Sequence, residues 1–148
     1  MSSEHPVRTG GCMCGGVRYQ ISGPIKQAVA CHCRECRRMT GHFLASTNAW
    51  HEHFTLTEGR DLGWYRSGKT SRRGFCKTCG SSLFFQVDDA PKISIAVGTL
   101  DDDSDQGIAL AAHIFTEEKG AYYSLDDAPV FPRGGDGVPM PPRGCSPV

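Results

Sequence analysis

Long hydrophobic runs are missing from this sequence. The longest mostly apolar run, ISIAVGTL at residues 93 to 100, is far shorter than the roughly 20 residues needed to cross a bilayer, so we expect no membrane-spanning segment. The N-terminal stretch MSSEHPVRTGG has no apolar signal core, which favours a reducing, cytoplasmic location. A phosphate-binding glycine loop and a GxSxG elbow are also absent, which removes two common kinds of catalytic site.

A net charge is missing as well, because 16 Lys and Arg residues balance 16 Asp and Glu residues. The distribution is uneven: residues 31 to 80 carry nine basic and four acidic residues, a net of +5, whereas residues 81 to 127 carry two and ten, a net of −8. The basic stretch indicates either an anion-attracting region around the middle cysteines or one of two solvated faces. Overall neutrality argues against a broad phosphate-binding surface, so nucleic acid is not expected as a partner.

Short alternating runs dominate the chain and predict a mostly β fold with little helix. These runs are VRYQI (17 to 21), QAVAC (27 to 31), FLAST (43 to 47), FTLTE (54 to 58), GWYRS (63 to 67), SLFFQV (82 to 87) and KISIAVGTL (92 to 100). A helical turn ended by Gly41 is expected within residues 34 to 42, and IALAAHIF (108 to 115) fits either a short helix or an edge strand. The 148 residues suit one domain, residues 1–131, followed by a Pro- and Gly-rich tail, residues 132–148.

Cysteine, in contrast, is abundant, with eight residues. They are grouped as Cys12 and Cys14, then Cys31, Cys33 and Cys36, then Cys76 and Cys79, with Cys145 alone in the tail. Disulfides are not expected in a cytoplasmic chain of this size, and an iron–sulfur cluster suits the grouping less well than zinc. A CxC pair flanked by glycines and a CxxC pair followed by Gly80 are typical of zinc knuckles. We therefore predict a closed, structural zinc site formed by Cys12, Cys14, Cys76 and Cys79.

The segment CHCREC then supplies only three thiolates, from Cys31, Cys33 and Cys36, to a metal that takes four ligands. The candidates for the fourth place are His32, His42, His113, Cys145, and a solvent or substrate atom. His32 is poorly placed, because neighbouring side chains on an extended backbone point to opposite faces. An open position separates catalytic from structural zinc, and an open site is the interpretation we favour here.

The charge of such a site indicates which ligand suits it. Three thiolates on Zn²⁺ leave a net negative charge, so a hydroxide ligand is less suited to this site than to one built from neutral imidazoles. A soft thiolate from a substrate fits, provided that nearby cations offset its charge. Arg34, Arg37 and Arg38 are the predicted cations, and they could also bind carboxylates; the alternative is that they form an exposed polar turn.

Six segments in order resemble the glutathione-dependent formaldehyde-activating enzyme family, also called the centromere protein V family. The segments are GGCMCGGVRYQ (10 to 20), CHCRECRRMTG (31 to 41), GRDLGWYRSG (59 to 68), RRGFCKTCGSSLFF (72 to 85), VGTLDD (97 to 102) and HIFTEEKGAYYSLDDAPVF (113 to 131). The resemblance implies a mostly β, Mss4-like fold with two zinc ions per chain. It also implies a structural role for the first cysteine set and a catalytic role for Cys31, Cys33 and Cys36.

The activity implied by this resemblance is that of a carbon–sulfur lyase, which joins formaldehyde, or a related aldehyde, to a thiol such as glutathione. The sequence departs from the family pattern in two places. The aromatic residue expected as Trp is Tyr122 or Tyr123, and the second departure is the tail with Cys145. Two alternatives stay open: a thiol- or zinc-binding module without turnover, and a zinc-knuckle adaptor whose second site is closed by Cys145 or a histidine. The oligomeric state does not follow from the sequence.

Overall fold

The structure is a computed structural model that describes residues 5–135 and 137–143. Its regular elements are mostly strands, and a single seven-residue α-helix is present among the described residues. The elements are β1 (Arg8–Gly11), β2 (Arg18–Ile21), β3 (Ala28–Cys31), α1 (Arg34–Thr40), β4 (Leu44–Trp50), β5 (Phe54–Glu58), β6 (Leu62–Arg66), β7 (Ser71–Cys76), β8 (Ser82–Val87), β9 (Lys92–Ala96), β10 (Leu110–Ile114) and β11 (Val130–Phe131). The prediction of a mostly β fold with little helix is confirmed.

The strands form two sheets. The smaller sheet has the order β1-β2-β5, and the larger has the order β11-β10-β3-β4-β9-β8-β7-β6. Neighbouring strands are antiparallel, except that β10 runs parallel to both β3 and β11. The parallel contact with β3 places Ile114 opposite Cys31, so it brings the C-terminal third of the chain to the middle cysteines.

The hydrophobic core lies where the two sheets face each other. Tyr19 of β2 packs edge-on against Phe84 of β8, with ring centroids 5.5 Å apart. Phe54 of β5 contacts both of these rings. The alternation that predicts strands is also seen in burial: in β9, Ile93 and Ile95 are buried and their neighbours are partly exposed. Each strand therefore contributes one apolar face to the core, as a period of two residues requires.

Several strands differ from the sequence expectation or complete it. β7 and the short strands β1 and β11 are not predicted by alternation, because Arg72, Arg73 and Gly74 interrupt any apolar pattern in β7. The ambiguous segment 108 to 115 contains the strand β10. That strand has only the two-residue β11 on its outer side, so it lies close to the edge of the sheet.

The helical turn predicted at residues 34 to 42 is α1. Cys33 is its N-cap, and the Cys33 side chain accepts a hydrogen bond from the Cys36 backbone N–H. Gly41 ends the helix in the left-handed conformation, with φ of 86°, and its N–H donates to the Arg37 carbonyl at 2.8 Å. The chain from Cys31 to Cys36 therefore passes from the end of β3 directly into the first turn of α1.

The described part of the tail contacts the large sheet. The indole N–H of Trp50 donates to the Pro141 carbonyl at 2.9 Å, and the Arg143 guanidinium lies 4.0 Å from the centre of a Trp50 ring. Cys145 lies outside the described residues, and the domain boundary at residue 131 stays a prediction. Among the described residues no helix is long and apolar enough to cross a membrane.

Gly41→Ala should reduce the free energy of unfolding by about 1 kcal/mol, because an L-residue pays a steric penalty at positive φ. A Cβ at Gly41 would meet no atom within 4 Å, so backbone conformation alone sets the effect. Gly98→Ala is the matched control: its Cβ would also meet nothing within 4 Å, and its φ is not positive. Urea unfolding measures both variants, and an equal stability for the two would contradict the assignment of the cap.

Candidate metal centres

The first cysteine cluster joins two turns that belong to different sheets. Cys12 and Cys14 lie in the turn between β1 and β2, while Cys76 ends β7 and Cys79 lies in the turn between β7 and β8. The four sulfur atoms all lie within 4.8 Å of one another. The Cys12–Cys14 and Cys14–Cys76 sulfur separations are 3.7 and 3.6 Å, close to the roughly 3.8 Å that a tetrahedral zinc with bonds near 2.3 Å requires. The cluster could therefore hold a metal ion.

Backbone amides and a hydroxyl point at these sulfurs. The N–H of Val17 donates to Cys12 Sγ at 3.2 Å, and the N–H of Cys79 donates to Cys76 Sγ at 3.3 Å. The hydrogen bond from Ser81 lowers the pKa of Cys79 to about 5. Such donors stabilise the thiolate over the thiol, and the thiolate is the form that binds metal.

The second cluster contains Cys31, Cys33 and Cys36, whose sulfur atoms also lie within 4.8 Å of one another. Cys31 ends β3, Cys33 caps α1 and Cys36 lies in the first turn of that helix. Hydrogen bonds from the Cys31 and Cys36 thiols lower the pKa of Cys33 well below that of a free thiol. No fourth His, Cys, Asp or Glu side chain of the described residues joins this group.

The histidines that could complete the second cluster are engaged elsewhere. Nδ1 of His32 lies 2.6 Å from the Tyr123 hydroxyl, and Nε2 of His32 lies 2.9 Å from Nδ1 of His113. Nε2 of His113 in turn lies 2.8 Å from Asp126 Oδ1. His42 pairs through Nδ1 with the hydroxyl of Tyr122. The expectation that His32 is a neighbour of the metal site rather than a ligand agrees with these contacts.

The chain Tyr123–His32–His113–Asp126 has a defined direction. A carboxylate only accepts hydrogen bonds, so His113 donates from Nε2 and accepts at Nδ1. His32 must then donate from Nε2, and Tyr123 must donate its hydroxyl hydrogen to Nδ1 of His32. Burial lowers the pKa of His32 to about 4, which favours the neutral His32 ring that this direction requires.

Sequence reasoning missed this hydrogen-bonded chain, because its bonded partners lie up to 91 residues apart. The parallel pairing of β3 and β10, which places His113 opposite Ala30, brings the two rings together. The doublet Tyr122 and Tyr123, noted where the family has Trp, is the one visible signal. Both tyrosines contact the histidine rings next to the second cluster.

The arginines near the second cluster are distributed differently from the sequence expectation. Arg34 and Arg38 are exposed on α1, and Nε of Arg37 donates to the Glu118 carbonyl at 3.1 Å. The cation that reaches the cluster is Arg73 of β7, whose side chain is 7% exposed. Its guanidinium lies 3.6 Å from Cys36 Sγ. A role for the three helix arginines in substrate binding stays a prediction.

A cavity of about 160 Å³ lies beside the second cluster. Its lining residues come from α1, from β3, β4, β7, β8, β9 and β10, and from the segment before β3. They are Lys26, Val29, Cys31, Cys36, Leu44, Ser46, Asn48, Arg73, Phe85, Ser94 and Ile114. Cys31 and Cys36 thus face a small, partly open space with both apolar and cationic walls.

The sequence matches the family model of the glutathione-dependent formaldehyde-activating enzyme over residues 7–118. The chain belongs to this family. A protein of Schizosaccharomyces pombe, described as an uncharacterized lyase, is 28% identical over 81 residues, which are 54% of this chain and 58% of that protein. This match therefore spans less than two thirds of the yeast protein's length.

A crystal structure of a Rhodobacter sphaeroides protein is also similar to the chain. It is 26% identical, has a TM-score of 0.53, and the match covers 68% of this chain and 90% of that one. As a member of the formaldehyde-activating family, the chain carries both cysteine clusters inside the matched range. Tyr123 and Asp126, which end the hydrogen-bonded chain, lie beyond that range.

The two clusters should respond differently to loss of one sulfur. Cys76→Ser should abolish cooperative unfolding, because this buried sulfur joins the two sheets and structural zinc contributes directly to folding. Cys33→Ser should leave a folded protein that binds less metal, because Cys33 lies at the surface end of a short helix. Circular dichroism with elemental analysis measures both properties. Unfolding of both variants to the same extent would contradict the division of roles.

His113→Leu should destabilise the protein by about 1–3 kcal/mol, because it leaves Nε2 of the fully buried His32 without its partner. Asp126→Asn is the control at the exposed end of the same chain, where the Asp126 side chain is 59% exposed and the amide oxygen can still accept a hydrogen bond. That variant should lose much less stability. Thermal unfolding measures both variants. An equal loss of stability would contradict the claim that the burial of His32 determines the cost of removing its partner.

Proposed function

We propose that the protein is a zinc-dependent carbon–sulfur lyase that forms S-hydroxymethylglutathione from formaldehyde and glutathione, or a closely related thiol adduct. The observation that carries the proposal is the second cluster, in which three cysteines lie beside a cavity and a buried cation. The family match supports the chemical class. Cys31, Cys33 and Cys36 are proposed as the ligands of the catalytic zinc, and the first cluster as the structural site.

The cysteine geometry fits zinc, because the three sulfur atoms lie within 4.8 Å of one another. The backbone N–H of Cys36 faces Cys33 Sγ, and the Arg73 guanidinium faces Cys36 Sγ. When bound, zinc supplies a Lewis acid that favours the thiolate form of a thiol at neutral pH. Arg73 offsets the negative charge of the cluster, because its guanidinium lies beside Cys36. This cation makes the approach of a further thiolate less costly.

The reaction forms one carbon–sulfur bond and one oxygen–hydrogen bond, and it breaks the carbonyl π bond and the thiol S–H bond, whose proton goes to solvent. The substrate sulfur donates an electron pair to the carbonyl carbon of formaldehyde, the carbon–oxygen π pair moves to the oxygen, and that oxygen takes up a proton from solvent. No oxidant is consumed. Val29, Leu44 and Ile114 give the cavity apolar walls, and holding the two reactants together there supplies most of the rate that such a reaction needs.

Exchange NMR on isotopically labelled formaldehyde and glutathione tests this proposal. Zinc-loaded protein should accelerate the interconversion of free and thiol-bound formaldehyde. In Cys33→Ser this acceleration should be at least tenfold smaller, which corresponds to about 1.4 kcal/mol less lowering of the activation barrier. An unchanged rate at stoichiometric protein would contradict this substrate pair. Saturable thiol binding without acceleration would instead favour the thiol-binding module.

Cys145→Ser separates the lyase from the adaptor alternative. The described histidines near the second cluster already have partners, so Cys145 is the remaining candidate from the chain itself. If a substrate thiol occupies the fourth position, this variant keeps both its second metal and its acceleration of the exchange. Loss of the second metal in Cys145→Ser would indicate a site closed by the chain.

A further inference from the structure

The residue between the first two cysteines of the second cluster is held at three points. His32 separates Cys31 from Cys33, and its ring is fully buried. Nδ1 of this ring accepts from the Tyr123 hydroxyl at 2.6 Å, and Nε2 donates to Nδ1 of His113 at 2.9 Å. The backbone N–H of His32 donates to a carbonyl at the end of β10 at 3.0 Å. The segment that links two of the three cysteines is therefore fixed through both a side chain and the backbone.

The side chains that hold His32 have anchors of their own. His113 lies on β10, which pairs with β3, and its Nε2 donates to Asp126 Oδ1 at 2.8 Å. The Tyr123 ring stacks on the His32 ring, with centroids 5.5 Å apart. The Lys119 ammonium donates to the Tyr123 carbonyl and lies 4.6 Å from the centre of the Tyr123 ring. Two separately anchored segments therefore meet at His32.

The corresponding residue of the first cluster has the opposite environment. Both clusters contain a CxC pair, with Met13 in the middle of the first and His32 in the middle of the second. Met13 is 92% exposed, whereas His32 is 0% exposed. The first cluster has a fourth sulfur, whereas no fourth His, Cys, Asp or Glu side chain from the described part of the chain joins the second. The buried, hydrogen-bonded middle residue thus belongs to the cluster with fewer ligands of its own.

Bringing three thiolates together opposes metal binding at the second cluster in two ways. Like charges a few ångströms apart repel each other, and ordering the backbone between two ligands reduces conformational entropy. The backbone dihedral angles at His32 and Cys33 determine how far apart the sulfurs of Cys31 and Cys33 lie. Because contacts outside the cluster already fix His32, part of this ordering occurs on folding rather than on metal binding. Such preorganisation increases affinity.

We propose that Tyr123 and His113 are positioning residues of the second cluster. Through His32 they hold Cys31 and Cys33 in the geometry that binds metal. The affinity of this cluster for zinc therefore depends on two side chains that lie 91 and 81 residues beyond His32 in the sequence. The inference rests on the proposed function, because it takes the three cysteines as the ligands of the catalytic zinc. Tyr123 and His113 act through His32 and contact neither the zinc nor the substrate.

Zinc affinity, measured in competition with a chromophoric chelator, tests the inference on a matched pair of tyrosine variants. Tyr123→Phe removes the hydroxyl that bonds His32 and keeps the ring that stacks on it. Tyr122→Phe makes the same change at the neighbouring position, where the hydroxyl pairs with His42. Tyr123→Phe should bind zinc at the second cluster at least about tenfold more weakly than the wild type, the usual effect of losing a partner next to the metal ligands. Tyr122→Phe should bind as tightly as the wild type.

The first cluster is the internal reference, and Cys33→Ser protein, titrated in parallel, identifies which zinc ion belongs to the second. Equal weakening at both clusters would show that Tyr123 only supports the fold, and it would overturn the inference. An unchanged affinity in Tyr123→Phe, or an equal loss in Tyr122→Phe, would overturn it as well.

Two substitutions of His113 separate positioning from packing. His113→Asn should keep most of the zinc affinity of the second cluster, because the amide oxygen can accept from Nε2 of His32 in place of Nδ1. His113→Leu should lose that affinity, because its side chain has no acceptor. Equal zinc affinities of the Asn and Leu variants would overturn the role of His113. If His113→Leu does not fold, the tyrosine pair decides.

The outcome is distinguishable from failure of the proposed function, because zinc affinity is measured without a thiol or an aldehyde. Weaker zinc binding in Tyr123→Phe, together with no acceleration of formaldehyde exchange by the wild type, would uphold the positioning role and reject the lyase. Equal zinc affinity in Tyr123→Phe and the wild type, together with acceleration of that exchange, would uphold the lyase and reject the positioning role.

Discussion

The contact among four cysteine sulfurs from two distant turns is the constraint on which the rest of the structure depends. It joins the small sheet to the large one at the edge of a core that includes Tyr19, Phe54 and Phe84. Cys76 is also the last residue of β7, the strand that carries Arg73. Arg73 lies three residues before Cys76 on this strand and reaches Cys36, so one strand connects the two clusters.

The second cluster depends on a different kind of contact. Cys31, Cys33 and Cys36 are close in sequence, so a strand that turns directly into a helix is enough to bring their sulfurs together. What surrounds them comes from far along the chain: β10 delivers His113 and Ile114, and β7 delivers Arg73. The local cluster could hold a metal ion, while the long-range contacts supply the buried cation and the cavity walls beside it.

Much of this arrangement follows from the sequence, and the limits have physical causes. Alternation predicts β2, β4, β8 and β9, and cysteine spacing predicts both clusters. Charge patterning includes Arg73 in the basic region around the cysteines, but its burial against Cys36 is not predicted, because a buried arginine in an irregular strand looks like a surface residue. Arg34, Arg37 and Arg38 are the predicted cations because they stand next to the cysteines in sequence. The parallel pairing of β3 with β10 leaves no local pattern, so the histidine chain and the cavity that depend on it require the fold.

The central claim is that the second cluster has an open position for a substrate thiol. X-ray absorption at the zinc edge, on protein loaded with two zinc ions and titrated with glutathione, tests it most directly because it counts sulfur neighbours. The account predicts that the mean number of sulfur neighbours per zinc rises on addition of glutathione, and that Cys33→Ser protein shows no such saturable rise. An unchanged sulfur count in the wild-type protein at saturating glutathione would contradict the claim.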